Sequence, residues 1–382
     1  MTKLTHYDIV GSFLRPEELK KAREKFNEGN ISQAELTHIE NQAIDQLIQK
    51  EESLGLKFVT DGEFRRSWWH LDFLWNLNGV AKYNYHESYK FQGAKTRTDN
   101  VELTGKITYN SDHPFFEAFK FAQKHANVQV KQTIPSPTLL FRDNRSDNWN
   151  KFYDNRRNYL NDLAIAYHHD LAIAYHHDLA IAYHQTIQHF YDLGCRYLQI
   201  DDTTWAFLIS KLNETKGNST EYAKYTSLAE DSVYVINQAI ANLPDDLTLA
   251  THICRGNFKS TFLFSGGYEP VATYLAQLNY DRFFLEYDSD RAGDLAPIKN
   301  IWNNRSNVSI VLGLVTSKSG KLEKKEALIK RINEATELVP LKNLALSTQC
   351  GFASTEEGNV LTPEDQWNKI KLVVDTAKQV WG

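Results

Sequence analysis

The chain has 382 residues, 42% hydrophobic and 24% charged, with a formal net charge of −5. That length accommodates two average domains or one large α/β barrel, and the mildly acidic balance gives no reason to expect nucleic acid or an anionic membrane as partner. No apolar run approaches the ~18 residues that span a bilayer, Met1-Thr2-Lys3-Leu4 lacks the apolar core of a secretory signal, and Cys195, Cys254 and Cys350 are too few and too odd in number for a disulfide framework, so a reduced, cytoplasmic protein is expected.

Tyr7 to Phe13 is a short β-prone run that closes on Gly11-Ser12, and Pro16 with the Glu- and Lys-rich residues after it starts helical structure. Ser32 with Glu35 forms a capping box ahead of a helix to Leu54, whose apolar positions Leu36, Ile39, Ala43, Ile44, Leu47 and Ile48 recur at helical spacing. Leu56 to Thr60 reads as a second strand, closing on Asp61-Gly62-Glu63. Residues 64–110 are aromatic, polar and irregular, which predicts an elaborated loop with a hairpin around Val101 to Tyr109. Phe115 to His125 is helical, Val128 to Ile134 is a third strand, and a long helical segment from Phe152 to Leu193 precedes a fourth, Tyr197 to Ile200, that closes on Asp201-Asp202.

Four more helix–strand pairs follow. The helices are about Glu221 to Asn242, Pro270 to Gln277, Pro297 to Asn303 and Leu322 to Leu338. Their strands are Leu247 to Thr251, Phe283 to Glu286, Val308 to Leu314 and Leu344 to Ser347, and Pro363 to Val380 is a final helix. Eight apolar strands separated by helices, with no linker rich in Gly, Ser or Pro, predict a single (β/α)8 TIM barrel over residues 1–382. An open doubly wound sheet is the alternative. Glu63, Asp201, His252, Cys254, Glu286 and Cys350 all fall at or just past C-terminal strand ends, where a barrel gathers its chemistry and an open sheet gathers less of it.

Residues 162–185 hold one octamer three times over, Asp162 to His169, Asp170 to His177 and Asp178 to Gln185, with five of the chain's thirteen histidines. A metal-binding array is one reading. Eight residues turn a helix about 80° beyond two full turns, so successive copies do not align their histidines. A tandem duplication that lengthens one helix by sixteen residues is the other.

In Leu249-Ala250-Thr251-His252-Ile253-Cys254-Arg255-Gly256, side chains two apart on a strand share a face, so His252 and Cys254 can grip one ion. Glu286 ends an apolar run, where an unpaired carboxylate is costly. It is either a further ligand or a rim charge paired with Arg282 or Arg291. Cys350 precedes a glycine at a strand end, and is a ligand or a buried apolar thiol. Cys195 lies before the fourth strand, at the opposite ends of the strands, and is expected to be structural. One imidazole, two thiolates and one carboxylate suit zinc.

On these residues the chain resembles the catalytic barrel of cobalamin-independent methionine synthase and, within that family, its shorter single-barrel bacterial relatives. The resemblance runs from Val10-Gly11-Ser12-Phe13 to Thr348-Gln349-Cys350-Gly351, and is most specific at His252-x-Cys254, Leu285-Glu286-Tyr287-Asp288-Ser289 and Cys350-Gly351. It implies that His252, Cys254, Glu286 and Cys350 hold a catalytic Zn2+. It also implies that Ser12, Glu63 and Asp201 bind homocysteine, with Glu63 and Asp201 as catalytic carboxylates. The implied activity is methyl transfer to the thiol from a donor such as 5-methyltetrahydrofolate, giving methionine. The chain departs from the family in lacking the long synthase's extra N-terminal domain. Val315-Thr316-Ser317-Lys318 also has no histidine where the family places one, and the pterin-stacking tryptophan has a counterpart only near Phe141, so Trp68, Trp69 and Trp75 are candidates to stack a planar donor. A corrinoid or S-methyl donor remains open, as do a decarboxylase or lyase on a related barrel and a non-catalytic barrel that zinc merely stabilises.

Overall fold

The computed structural model describes residues 5–143, 145, 146, 148, 151–153 and 164–382. In chain order the first elements are α1 (Glu17–Asn27), α2 (Gln33–Ser53), β1 (Phe58–Val59), α3 (Leu71–Leu74), β2 (Asn78–Asn84), β3 (Lys90–Phe91), β4 (Ala94–Lys95) and β5 (Asp99–Thr108). Then come α4 (Pro114–His125), β6 (Gln129–Val130), β7 (Gln132–Pro135), α5 (Thr138–Asp143), α6 (Ala164–Asp192), β8 (Tyr197–Asp202), α7 (Thr204–Glu214) and α8 (Ser219–Ala239). The last are β9 (Thr248–Ile253), α9 (Ala272–Leu275), β10 (Arg282–Glu286), α10 (Pro297–Trp302), β11 (Ser309–Val315), α11 (Lys325–Thr336), β12 (Leu344–Thr348) and α12 (Pro363–Trp381).

Six strands form one parallel sheet in the order β12-β11-β10-β9-β8-β7, and β1 pairs in parallel with β6. Parallel strands need crossover helices, which cover the sheet, so the strands read as near-continuous apolar runs; every residue of β8, β10, β11 and β12 is buried. The large core lies where the helices pack on the sheet. A second cluster, Val10, Phe58, Tyr197, Ala250, Phe284, Val311 and Ala345, takes one residue from each of seven segments and fills the opposite face. The two-residue period of a strand carries that face up to the chemistry: Tyr197, Gln199 and Asp201 on β8; Ala250 and His252 on β9, with Cys254 just past it; Phe284 and Glu286 on β10.

The first expected strand is reduced to a parallel bridge between Tyr7 and Leu346. Past Asp8 its carbonyls are taken by side chains instead of a ladder: Thr60 Oγ1 donates to Gly11 O at 2.6 Å and Gln199 Nε2 to Val10 O at 2.7 Å. Residues 78–108 form an antiparallel pair of β2 with β5 enclosing the small β3–β4 hairpin, an earlier start than the hairpin expected around Val101 to Tyr109. The capping box on α2 is present in both directions. Three helices, α3, α5 and α7, were not expected from the sequence; α7 follows β8 directly, its start fixed by Asp202 Oδ1 accepting from Thr204 N at 2.7 Å.

The long helix expected from Phe152 begins, among the described residues, at Ala164, and residues 152 and 153 are turn and bend. Residues 162 and 163 of the octamer repeat, and the side chains up to residue 174 with His168 and His169, lie outside what is described. In the later copies Tyr175, Leu179, Ala182 and Tyr183 are buried. No helix among the described residues is long and apolar enough to cross a membrane.

Candidate metal centre and thiol pocket

Strand ends bring the expected ligands together. His252 ends the inward face of β9, Cys254 follows it by two residues, Glu286 is the last residue of β10, and Cys350 lies two past the end of β12. All four are buried, and one donor atom from each lies within 4.8 Å of the others. The sulfurs of Cys254 and Cys350 are 3.7 Å apart, and His252 Nε2 is 3.7 Å from Glu286 Oε1. Two Zn–S bonds of about 2.3 Å at a tetrahedral angle separate the sulfurs by about 3.8 Å, so the donor set and its spacing fit zinc. Hydrogen bonding between the two sulfurs pushes Cys254 up and Cys350 down, and the pair titrates as a unit.

His252 and Glu286 are each held by neighbouring groups. His252 and Asp201 face one another in register across β9 and β8, with Nδ1 3.2 Å from Asp201 Oδ1, and Nε2 lies 3.0 Å from the carbonyl of Gln349. Burial alone would lower the His252 imidazole, but Asp201, Cys350 and Glu286 raise it to about 9. Glu286 Oε1 accepts from Arg255 N at 2.9 Å, and its Oε2 pairs with Arg291 at 2.8 Å. Arg291 is therefore the partner; Arg282 instead lies 3.4 Å from Asp8 at the far end of the strands. Cys195 is fully buried, donates to Tyr197 O at 3.2 Å, and is pushed up to about 12 by burial, as an inert structural thiol should be.

Beside the four donors lies a cavity of about 20 Å³, lined by Val10, Ser12, Glu63, Trp69, Asp201, His252, Cys254, Cys350, Gly351 and Ser354. Thus Ser12, Glu63 and Asp201 all reach the same small space. Ser12 Oγ accepts from Ala353 N at 3.3 Å. Glu63 sits at a φ of +59°, a conformation costly for a residue with a Cβ. Its backbone N–H donates to Asp61 Oδ1 at 2.9 Å, closing the Asp-Gly-Glu turn. Its Oε1 accepts from Thr133 at 2.9 Å and lies 3.2 Å from Arg66, while Oε2, buried, has no partner among the described residues. Burial raises the Glu63 carboxyl, with Asp201 adding to the rise and Arg66 opposing it. An unsatisfied acceptor facing a cavity calls for a donor from a ligand.

Trp69 and Ser354, joined by Trp69 N donating to Ser354 O at 2.9 Å, complete this pocket and also line a second cavity of about 40 Å³ with Trp68, Tyr89, Phe91 and Phe258. Of the three tryptophans, Trp68 and Trp69 border this space, whereas Trp75 donates to Asn100 O on β5. Phe141 packs on His176 instead. Gln199 and Ser354 escaped the sequence reading as parts of the site; Arg291 was weighed there only as an ion-pair partner of Glu286, and Gly351 only as the neighbour of Cys350.

The profile of the cobalamin-independent synthase catalytic domain matches residues 5–147 and 161–379. The chain is 45% identical over 379 residues to the uncharacterized protein YxjH of Bacillus subtilis (strain 168), covering 98% of this chain and 94% of that one. A solved structure from Listeria monocytogenes, provisionally described as a vitamin-B12-independent methionine synthase, superposes with a TM-score of 0.74 at 39% identity, over 100% of this chain and 99% of the other. The B12-independent methionine synthase of Shewanella sp. W3-18-1, solved in complex with selenomethionine, shares the fold at a TM-score of 0.69 and 18% identity, over 99% and 98% of the two chains.

Proposed function

The chain belongs to the cobalamin-independent methionine synthase family, in its catalytic domain, and on that premise we propose that it is a zinc-dependent methyltransferase that methylates homocysteine to methionine. The observation that carries this reading is the convergence of His252, Cys254, Glu286 and Cys350 beside a pocket that holds Ser12, Glu63 and Asp201. We read the whole chain as one catalytic unit whose strands close into a (β/α)8 barrel. Supporting closure, Asp8 N donates to Leu346 O at 3.1 Å on one side of the N-terminal segment and Phe13 N to Gly62 O at 3.1 Å on the other, while Lys131 N donates to Val59 O at 2.8 Å.

Zinc held by the four donors supplies Lewis acidity that favours the thiolate over the thiol near neutral pH. A free thiol of pKa ~8.5 otherwise spends about 2 kcal/mol to ionise at pH 7. Glu63 Oε2 and Asp201 bind the substrate ammonium by charge-assisted hydrogen bonds, and Ser12 fixes the end of the substrate beside Gly351. Trp69 closes the pocket against water. On its other side, the aromatic cavity takes the methyl donor, for which 5-methyltetrahydrofolate is our reading. The sulfur–carbon bond forms as the methyl–nitrogen bond breaks, and the leaving nitrogen takes a proton. Positioning contributes much of the rate.

The test is methionine formation by purified zinc-loaded protein from homocysteine with methyl-folate, a methylated corrinoid or a small S-methyl compound. Turnover with methyl-folate is expected. Turnover only with another donor changes the donor assignment, and no thiol methylation with any of the three refutes the reading.

A further inference from the structure

Beneath the candidate metal centre, the inward face carries a buried polar chain that the proposed function leaves unused. Lys131, between β6 and β7, is 1% exposed. Its ammonium has three donors and finds three acceptors: Asp8 Oδ1 at 3.0 Å, the carbonyl of Ile9, and Gln199 Oε1 at 3.1 Å. Gln199, fully buried, donates from Nε2 to Val10 O at 2.7 Å and to Asp201 Oδ1 at 2.8 Å. Asp201 Oδ1 is also the atom 3.2 Å from His252 Nδ1.

Donor chemistry gives this chain one direction. An ammonium only donates and a carboxylate only accepts. With Lys131 on one side, the Gln199 amide must turn its oxygen that way, and its N–H2 therefore faces Asp201. Asp201 is then held as an acceptor by a group that cannot take its proton, and the partner across the sheet, His252 Nδ1, must be the donor. We propose that Lys131 and Gln199 are positioning residues for the metal centre: by orienting Asp201 they keep a proton of His252 on Nδ1, so that Nε2, which lies 3.0 Å from the carbonyl of Gln349 and 3.7 Å from Glu286 Oε1, is the nitrogen that gives up its proton to a metal. Burying an ammonium this deep is costly, and a packing role needs no such oriented amide between it and a site carboxylate. Partners that set a ligand imidazole's tautomer commonly change metal affinity by roughly 10- to 100-fold.

This inference rests on the zinc reading, and the experiment separates the two. Gln199→Glu keeps size and the contact to Lys131 but sets an acceptor against Asp201. Zinc affinity is measured by competition with a chromophoric chelator, and histidine protonation by 15N spectra of the zinc-loaded protein. We expect zinc binding weakened roughly 10- to 100-fold, with Nε2 bound and Nδ1 protonated in the unsubstituted protein and the Nδ1–H signal displaced in the variant. Unchanged affinity in a folded variant, or coordination through Nδ1 in the unsubstituted protein, overturns the inference alone. If the unsubstituted protein takes up no zinc, the proposed function falls and this inference with it. Should Gln199→Glu not fold, Gln199→Met, which removes the donor without adding charge, is read in the same way.

Discussion

Gly351 has no room for a methyl group. A Cβ there would lie 2.0 Å from Ser12 Oγ and 3.1 Å from Ser12 Cβ, so Gly351→Ala has to push the Ser12 hydroxyl out of the pocket. Losing one substrate hydrogen bond of about 1.4 kcal/mol predicts a roughly tenfold rise in KM for the thiol, with zinc content at the unsubstituted level. A lowered zinc stoichiometry would show instead that the alanine moves Cys350. Glu51 offers a second residue-level test, remote from the metal. It is fully buried and, among the described residues, its carboxyl accepts only from Thr60 N, at 3.2 and 3.3 Å to its two oxygens. Burial pushes its carboxyl well above the ordinary carboxylate value, against the Thr60 hydrogen bond. The folded state therefore binds the proton more tightly than the unfolded state does. The stability this group contributes is full below the unfolded pKa and is lost as pH rises through the folded one. Glu51→Gln removes the titration and keeps the shape, so it should stabilise the protein at pH 8 by on the order of 1 kcal/mol and flatten the fall in Tm between pH 5 and 8. A variant whose Tm follows pH as the unsubstituted protein does would refute this.

Helix α6 shows what local sequence can and cannot reveal about an element. The octamer repeat was visible because it is a property of the string alone, whereas the helix's packing depends on residues far away. Tyr175, in the second copy, is buried and meets Tyr153 edge-on at 5.4 Å, and His176 packs on Phe141 at 4.6 Å. Removing residues 162–177 joins Asn161 to Asp178, which places Tyr159 where Tyr175 stands and Leu160 where His176 stands. The aromatic position is refilled by another tyrosine, and a histidine by an apolar residue of similar bulk. The deletion should therefore fold and keep both its zinc content and its activity; loss of either would give the repeat a role beyond lengthening the helix. Other elements divide along the same line. The capping box of α2 was legible since Ser32 and Glu35 are three residues apart. Helix α7 was not, because its apolar run after Thr204 lacks the polar alternation that marks an amphipathic helix. The first strand looked like a strand yet makes only a single bridge, because its carbonyls are claimed by Thr60 and Gln199.

At the scale of the molecule, the candidate ligands were legible because each is a polar side chain closing an apolar strand, and the two-residue period aimed them at one face. What tunes them was not: the Asp201–His252 pairing is a matter of register between β8 and β9, and the choice of Arg291 over Arg282 for Glu286 depends on which end of the sheet each arginine reaches. The same arrangement makes a prediction about stability. His252 and Cys254 come from β9, Glu286 from β10, and Cys350 from beyond β12, so one bound ion ties chain segments nearly a hundred residues apart. An ion that binds only the folded state stabilises it by about 4 kcal/mol when its free concentration is a thousand times Kd. With about 2.1 cal/mol/K of unfolding entropy per residue, a chain of 382 residues gains about 5 °C in Tm. Zinc removal by a chelator should lower Tm by that amount, zinc addition should restore it, and Cys350→Ser should be insensitive to both. Glu63→Gln distinguishes a catalytic centre from a purely structural one: it leaves the four ligands intact, so the zinc-linked shift in Tm should persist while methyl transfer falls by 10²-fold or more, about 2.7 kcal/mol. If activity survives that substitution, Glu63 is not the group that holds the substrate ammonium. If the Tm shift disappears with it, Glu63 supports the metal instead of the thiol.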